Sequence, residues 1–374
     1  MSRGTLSRGT LNRDTISYLL LGVVGLLFIF GLVMIYSATS PMLLERGDPS
    51  WKLLLKQIIA GSLGIGLGYL AARIDYHFLH RAAWPLVLAA VVMLVFTLLS
   101  GNTVGGAARS IALGGFSFQT AEVAKLALIL FTAHSLSQRE IHNRTTSTVI
   151  QWSAIYLLIA VLIFRQPDFS TTAVITLIVV TQLFLAGLKW RVVGAIMLVV
   201  TVAAPLMIVL RSYRLERIQL FLHDMWTLDP EAYQLLHSLI ALGRGGTTGQ
   251  GIGDSMQKLL YLPLPYNDFI FAVIGEELGL LGTGFVVAVF GLFLYLGVRI
   301  IRRAPDTFGR LLATGIVFTV VYYALLHMLI VIGLAPNTGL PLPFISYGGA
   351  NLLIMFVAIG VLLNIHLQSD RERA

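Results

Sequence analysis

Residues 16–39 read ISYLLLGVVGLLFIFGLVMIYSAT, a run without one charged side chain. Coiled as a helix rising 1.5 Å per residue, it is long enough to cross the roughly 30 Å hydrocarbon core of a bilayer. It is too long for the core of a signal peptide and no clear small-residue cleavage site follows, so it reads as a retained span. The same criterion of about 20 apolar residues per crossing predicts further helices at 54–73, 83–100, 119–137, 148–165, 170–188, 190–210, 268–298, 309–334 and 349–368. The predicted fold is therefore an all-α polytopic membrane protein with about ten transmembrane helices, a single transmembrane domain over 1–374. The composition agrees: of 374 residues, 57% are hydrophobic and 12% charged, against about 25% charged in soluble domains. A soluble fold and a disordered chain are both excluded. The chain has no cysteine, which removes disulfides, zinc–thiolate sites and thiol nucleophiles.

The net charge of +8 would point to nucleic acid in a soluble protein, but in a membrane protein basic residues mark cytoplasmic connections. With the N-terminus inside, the inner segments hold Arg3, Arg8, Arg13, Arg73, Arg81, Arg139, Arg144, Lys189, Arg191, Arg299, Arg302, Arg303, Arg310, Arg371 and Arg373. The short outer connections hold only Arg46, Lys52, Lys56, Arg109 and Arg165. Both termini are thus predicted cytoplasmic, with a tail at 1–15 that repeats Ser-Arg-Gly-Thr-Leu. One long extracytoplasmic loop, 211–267, falls between the seventh and eighth helices.

That loop carries the glycine run Gly243-Arg244-Gly245-Gly246-Thr247-Thr248-Gly249-Gln250-Gly251-Ile252-Gly253. Glycine lets the backbone turn tightly and approach a ligand closely; a flexible linker is the plain alternative. It is not a nucleotide loop, since no strand precedes it and the Lys-Ser/Thr ending is missing. The apolar, aromatic segment from Ser255 to Tyr266 that follows argues against a solvated tether.

Charges inside a bilayer cost about 3 kcal/mol or more and need a partner, water or a function. Glu122 and Lys125, three residues apart in the fourth helix, can pair on one face, as a structural ion pair or as cavity lining. Glu276 and Glu277 point about 100° apart in the eighth, so at least one faces the bundle interior. Asp168, after Pro167, reads as a helix cap. Asp268 heads the eighth helix at the outer face, where it can cap the helix or act chemically. Asp75, His77 and His80 have metal-like spacing without the rest of a shell. Gly61, Gly64 and Gly68 read as close helix packing, and His327 as a hydrogen-bonded core histidine.

Several segments together resemble the SEDS family of bacterial cell-wall polymerases, named for shape, elongation, division and sporulation. They are Ile35-Tyr36-Ser37-Ala38, Gln119 to Lys125, Gln166-Pro167-Asp168, Tyr233-Gln234, the glycine run, and Leu342-Pro343-Phe344-Ile345-Ser346-Tyr347-Gly348-Gly349. The most specific block is Asn267-Asp268-Phe269-Ile270-Phe271-Ala272-Val273-Ile274-Gly275-Glu276-Glu277-Leu278-Gly279. Gly251 to Lys258 and Ala133-His134-Ser135-Leu136 are most similar to the division branch, with the elongation and sporulation branches as nearest relatives. The chain also departs from the pattern. Arg109-Ser110 replaces the family's Arg-Trp, Gln119-Thr120-Ala121-Glu122 its Gln-Pro-Ser-Glu, Leu262-Pro263-Leu264 its Leu-Pro-Glu, Tyr266 its His, and Ala350-Asn351 its Ser-Ser.

The resemblance implies glycosyl transfer from lipid II, a disaccharide-peptide on undecaprenyl pyrophosphate, to extend glycan strands at the outer face of the cytoplasmic membrane, at the division septum. With a good leaving group in place, one carboxylate and cations suffice. Asp268 is the implied catalytic residue, as the base or as the ligand of a divalent cation (Mg2+ or Mn2+). Arg109, Lys258, Arg217 and Arg244 are the candidate diphosphate cations, Glu122 and Lys125 further substrate-side residues. Asp168, Glu276, Glu277, Ser346, Tyr347 and Gly348 shape the cavity. The implied partners are lipid II, membrane lipids, a class B penicillin-binding transpeptidase and other division-complex membrane proteins, with no nucleic acid. A lipid II flippase and a noncatalytic division scaffold are the competing readings. A flippase calls for polar residues through the full depth, and here they crowd toward the outer half.

Overall fold

The structure, a computed structural model, describes residues 13–100, 110–113, 116–137, 146–166, 168–187, 194, 233–259, 262, 264–337 and 339–369. Its elements are α1 (Arg13–Glu45), α2 (Lys52–Arg73), α3 (His77–Leu99), β1 (Ser110–Leu113), β2 (Phe116–Gln119), α4 (Thr120–Ser137), α5 (Thr146–Arg165), α6 (Phe169–Leu185), α7 (Tyr233–Gly245), α8 (Ile270–Arg303), α9 (Thr307–Val331) and α10 (Gly349–Gln368). Helices dominate because a chain crossing hydrocarbon must satisfy its backbone polar groups within itself. Among the described residues, α1, α2, α3, α8, α9 and α10 are long and apolar enough to cross a membrane, and α5 and α6 contain shorter apolar stretches. The charged α4 is buried along nearly its whole length.

Each predicted span within the described residues is a helix. The seventh, 190–210, lies outside them apart from Gly194, as do Arg109 and Arg217. Three details correct the sequence reading. The helix expected at 83 begins at His77, because a polar first turn at an aqueous end costs a helix little. The stretch 211–267 contains helix α7, whose apolar positions Leu235, Leu236, Leu239, Ile240 and Leu242 recur at helical spacing. A two-stranded antiparallel hairpin, pairing Ser110 with Gln119 and Leu113 with Phe116, precedes α4. Its signal was legible: Gly114-Gly115 stands between two alternating apolar stretches.

Contacts group the turns at two ends of the bundle, called inner and outer after the orientation the basic residues predict. At the inner end His77 Nδ1 meets Asp75 Oδ1 at 2.7 Å and Nε2 meets Asp306 Oδ2 at 3.0 Å, and Gln368 Nε2 donates to Asp75 at 3.2 Å. Both nitrogens of His77 are thereby engaged, and among the described residues no group of three metal-binding side chains exists. At the outer end Gln119 Nε2 donates to Asp168 at 2.9 Å, Asn337 Nδ2 to Gln234 at 2.6 Å, and the Tyr347 N–H to the Tyr266 carbonyl at 3.0 Å.

Helix α2 shows how close the packing becomes. Its buried positions Gln57, Ala60, Gly61, Gly64 and Gly68 form one stripe, while Leu63, Ile65, Leu67 and Leu70 face outward. Gly68 meets Gly360 of α10 so closely that a Cβ added at Gly360 would lie 2.0 Å from the Gly68 carbonyl oxygen. Small residues allow this approach in membranes, where dispersion rather than water expulsion holds helices together.

Helix α8 is broken at Gly279, whose φ of 64° and ψ of −158° leave the helix. A break frees carbonyls before it and N–H groups after it, and the glycine run supplies the missing partners. The Gln250 and Gly251 N–H groups donate to the carbonyls of Glu276 and Glu277, both at 3.0 Å. The Leu280 and Leu281 N–H groups donate to the carbonyls of Gly246 and Thr247 at 2.9 and 3.1 Å. A Cβ at Gly249 would sit 2.1 Å from the Glu277 carbonyl oxygen. The close approach expected of these glycines is thus made to the backbone of α8.

Gly360→Val should destabilise the fold by about 3 kcal/mol, the cost of overpacking a rigid contact. Gly66→Val, where nothing lies within 4 Å of an added Cβ, should leave it unchanged. Thermal unfolding in detergent compares the two.

Candidate active site

Asp268 stands in the turn that leads into α8. The N–H groups of Asn267 and Asp268 both donate to the Leu264 carbonyl, at 3.0 and 3.2 Å, and Leu264 takes a left-handed φ of 50°. The loop between α9 and α10 closes over this turn. Ser346 Oγ accepts from the Leu342 N–H and donates to the Asn267 carbonyl, both at 2.8 Å. Gln57, buried in α2, donates to the Ser346 carbonyl and accepts from the Gly348 N–H, each at 3.2 Å. The rings of Tyr266 and Tyr347 meet edge to face with centroids 5.7 Å apart. The structure thus places Ser346 and Tyr347 against the turn that carries Asp268, with Gly348 held to Gln57 behind them.

The carboxylate of Asp268 is not used by its helix. Phe269 occupies the cap position of α8 without a side-chain cap bond. Asp268 Oδ1 is buried and has no partner among the described residues. Burial pushes its pKa up to about 6, since a low-dielectric site disfavours the charged form. Burial also raises the tyrosine beside it, Tyr266, against the charge of Arg46 and with that of Asp268.

The other acidic candidates are engaged. Asp168 caps α6, accepting from the Thr171 N–H at 3.1 Å and from Thr171 Oγ1 and Gln119 Nε2 at 2.9 Å, as its position after Pro167 predicts. Glu122 accepts from Lys125 Nζ at 2.6 Å and from the hydroxyl of Tyr323 at 2.8 Å, and Lys125 also lies 4.0 Å above the Tyr323 ring. Lys125 is fully buried, so this pair is closed inside the bundle. Glu276 accepts from Ser255 Oγ at 2.5 Å and from the N–H groups of Met256 and Gln257 at 3.2 and 3.1 Å. Exposed Arg244, in the last turn of α7, lies 3.5 Å from it. Glu277 accepts from Ser37 Oγ at 2.6 Å and Lys258 Nζ at 2.7 Å. Lys258, nearly fully buried, also donates to Ser37 Oγ at 3.0 Å and to the Gly253 carbonyl at 2.6 Å.

Sequence reasoning missed Gln57 and Tyr323. A lone glutamine in the apolar second span was the signal for the first. Nothing in the sequence singled out Tyr323, one of several tyrosines in apolar runs.

The model of the FtsW, RodA and SpoVE family, described as cell cycle proteins, matches residues 17–371. The chain belongs to this family. Among its relatives, a probable peptidoglycan glycosyltransferase FtsW of Trichlorobacter lovleyi is 37% identical over 339 residues, 90% of this chain and 89% of the relative. One of Hydrogenovibrio crunogenus is 35% identical over 95% of this chain and 92% of its own. Of solved structures, a chain from work on the coordination of polymerization and crosslinking by a peptidoglycan synthase complex aligns with a TM-score of 0.77 at 27% identity, covering 94% and 97% of the two chains. The rod shape determining protein RodA of Thermus thermophilus aligns with a TM-score of 0.67 at 26% identity, covering 93% and 96%. As a family member with these membrane-length helices, the chain is a multi-pass membrane protein.

The buried pair makes a direct prediction. Lys258→Met alone should destabilise by about 3–5 kcal/mol, because it strands the Glu277 carboxylate, whereas Lys258→Met with Glu277→Gln should recover most of that loss. Chemical unfolding of the single and double variants measures it. A double variant that is stable but cannot bind substrate would return Lys258 to the diphosphate.

Proposed function

We propose that this protein is a peptidoglycan glycosyltransferase that polymerises lipid II into glycan strands at the outer membrane face during septal wall synthesis. The observation that carries the reading is Asp268, a carboxylate at the outer end of the bundle that neither caps its helix nor meets a donor among the described residues. The names of its FtsW relatives support the reaction class.

In this reaction the 4-hydroxyl oxygen of the acceptor sugar bonds to the donor's anomeric carbon as the bond from that carbon to the diphosphate oxygen breaks. The hydroxyl proton passes to the Asp268 carboxylate, and the electron pair of the broken bond leaves with the diphosphate. A carboxylate with a raised pKa is a stronger base than an ordinary one, and the half-buried setting of Asp268 provides this. Arg109, Arg217 and exposed Arg244 are the cations proposed to hold the diphosphate. In the alternative role, Asp268 would instead hold one divalent cation, Mg2+ or Mn2+, together with the substrate's own phosphates, since such ions need only one or two protein carboxylates. When bound, it would neutralise charge on the departing diphosphate. The Ser346, Gln57 and Tyr347 contacts hold the turn of Asp268 in place. A class B penicillin-binding transpeptidase is the proposed partner, crosslinking the strand as it emerges.

Asp268→Asn should lower lipid II polymerisation by about 100-fold or more at an unchanged melting temperature, measured for the protein with its transpeptidase partner. Equal polymerisation by both proteins would refute the assignment. In the wild type the rate should fall as pH drops through about 6, because the raised pKa leaves the base protonated below that value.

A further inference from the structure

Helix α9 carries one histidine in its apolar interior, His327, which is 1% exposed. Its Nδ1 lies 2.7 Å from the carbonyl oxygen of Leu340 in the loop between α9 and α10. A carbonyl only accepts, so Nδ1 carries the hydrogen and donates. Nε2 is buried and without a partner among the described residues. The ring therefore does one polar thing here: it fixes the Leu340 carbonyl.

The neighbour of Leu340 is Gly339, at a left-handed φ of 71°, and it forms a wall beside Asp268. A Cβ added at Gly339 would stand 3.7 to 3.9 Å from the three carboxyl atoms of Asp268, in ordinary contact with them. Two residues before Gly339, Asn337 is tied to Gln234 of α7, and three residues after it Leu342 is tied to Ser346. Between those ties, among the described residues, the hydrogen bond from His327 is the one that reaches the loop from a helix, while the Gly339 N–H donates within the loop to Asn337 Oδ1 at 3.3 Å. Without it, the Leu340 carbonyl is a buried acceptor left unpaired, and such a group moves toward water or another donor. The wall beside the carboxylate would move with it.

We propose that His327 is a positioning residue for glycosyl transfer: it holds the Gly339–Leu340 segment against Asp268 and so sets the space in which the acceptor hydroxyl meets the carboxylate. The inference rests on the reading of Asp268 as the base. A shift of the wall by about 1 Å is enough to cost up to about 100-fold in rate, and it acts on the chemical step rather than on capture of the lipid-linked donor.

Two substitutions separate the hydrogen bond from the space the ring fills. An asparagine amide reaches the place of Nδ1 and can donate to Leu340; a glutamine amide reaches the place of Nε2 and cannot. Lipid II polymerisation by the full chain with its transpeptidase partner should show kcat for His327→Asn within about threefold of wild type. His327→Gln should lose about tenfold or more in kcat at unchanged KM. Equal kcat in His327→Gln and wild type would overturn the proposal, as would equal losses in the two variants. If His327→Gln fails to fold, His327→Asn decides alone: a loss beyond about threefold overturns the proposal. Asp268→Asn, assayed alongside, keeps the two readings apart. An active Asp268→Asn removes both, whereas an inactive one beside a fully active His327→Gln removes only the role of His327.

Discussion

The backbone of α8 at Gly279 is the constraint on which the outer half of the protein depends. A helix broken in a low-dielectric interior exposes carbonyl and amide groups that cost several kcal/mol each if left alone. Here the groups from Glu276 to Leu281 are answered by backbone atoms of the run from Gly246 to Gly251. Side chains at Gly249 or Gly279 would keep the two backbones apart. The break also sets Glu276 and Glu277 at the end of the first segment of α8, where the loop beyond the glycines must carry their partners. Ser255, the Met256 and Gln257 amides and Lys258 all come from that loop. Through Ser37, α1 is joined to the same pair.

Asp268 contrasts with this network. Asp168, Glu122 and Glu276 each have several donors, and Glu277 is paired through one of its oxygens. Burial without donors disfavours the charged carboxylate, and proteins keep such groups chiefly at functional sites. The turn holding Asp268 is nonetheless well fixed, by Ser346 on Asn267, by the Tyr347 amide on Tyr266 and by Gln57 behind them. A rigid frame around an unsatisfied acid is what a base needs: geometry set in advance, and a proton affinity raised by its surroundings.

Much of this was legible in the chain. Apolar runs locate α1 to α6 and α8 to α10 because crossing length is a physical property of the bilayer. The asymmetry of arginine and lysine predicts which turns share an end, and the contacts of His77 with Asp306 and of Tyr347 with Tyr266 agree. The cap at Asp168 and the packing stripe at Gly61, Gly64 and Gly68 could be read from local spacing alone. Helix α7 was not, since its apolar spacing is short and sits within a polar, glycine-rich stretch. The destination of the glycine run was equally hidden, because close approach is a property of glycine while the partner approached is set far away in the chain.

By itself, then, the sequence determined that the chain lives in a membrane, where its helices cross, which turns share an end and which few charged residues need explaining. These follow from hydrophobic length, charge and local capping, all of which act over a few neighbouring residues. Only the tertiary structure decided that Lys258 belongs to Glu277, that Lys125 belongs to Glu122 and Tyr323, and that Asp268 alone among these acids neither caps nor pairs. Those outcomes depend on which groups from distant helices arrive within about 3 Å of one another, and local spacing does not encode that distance.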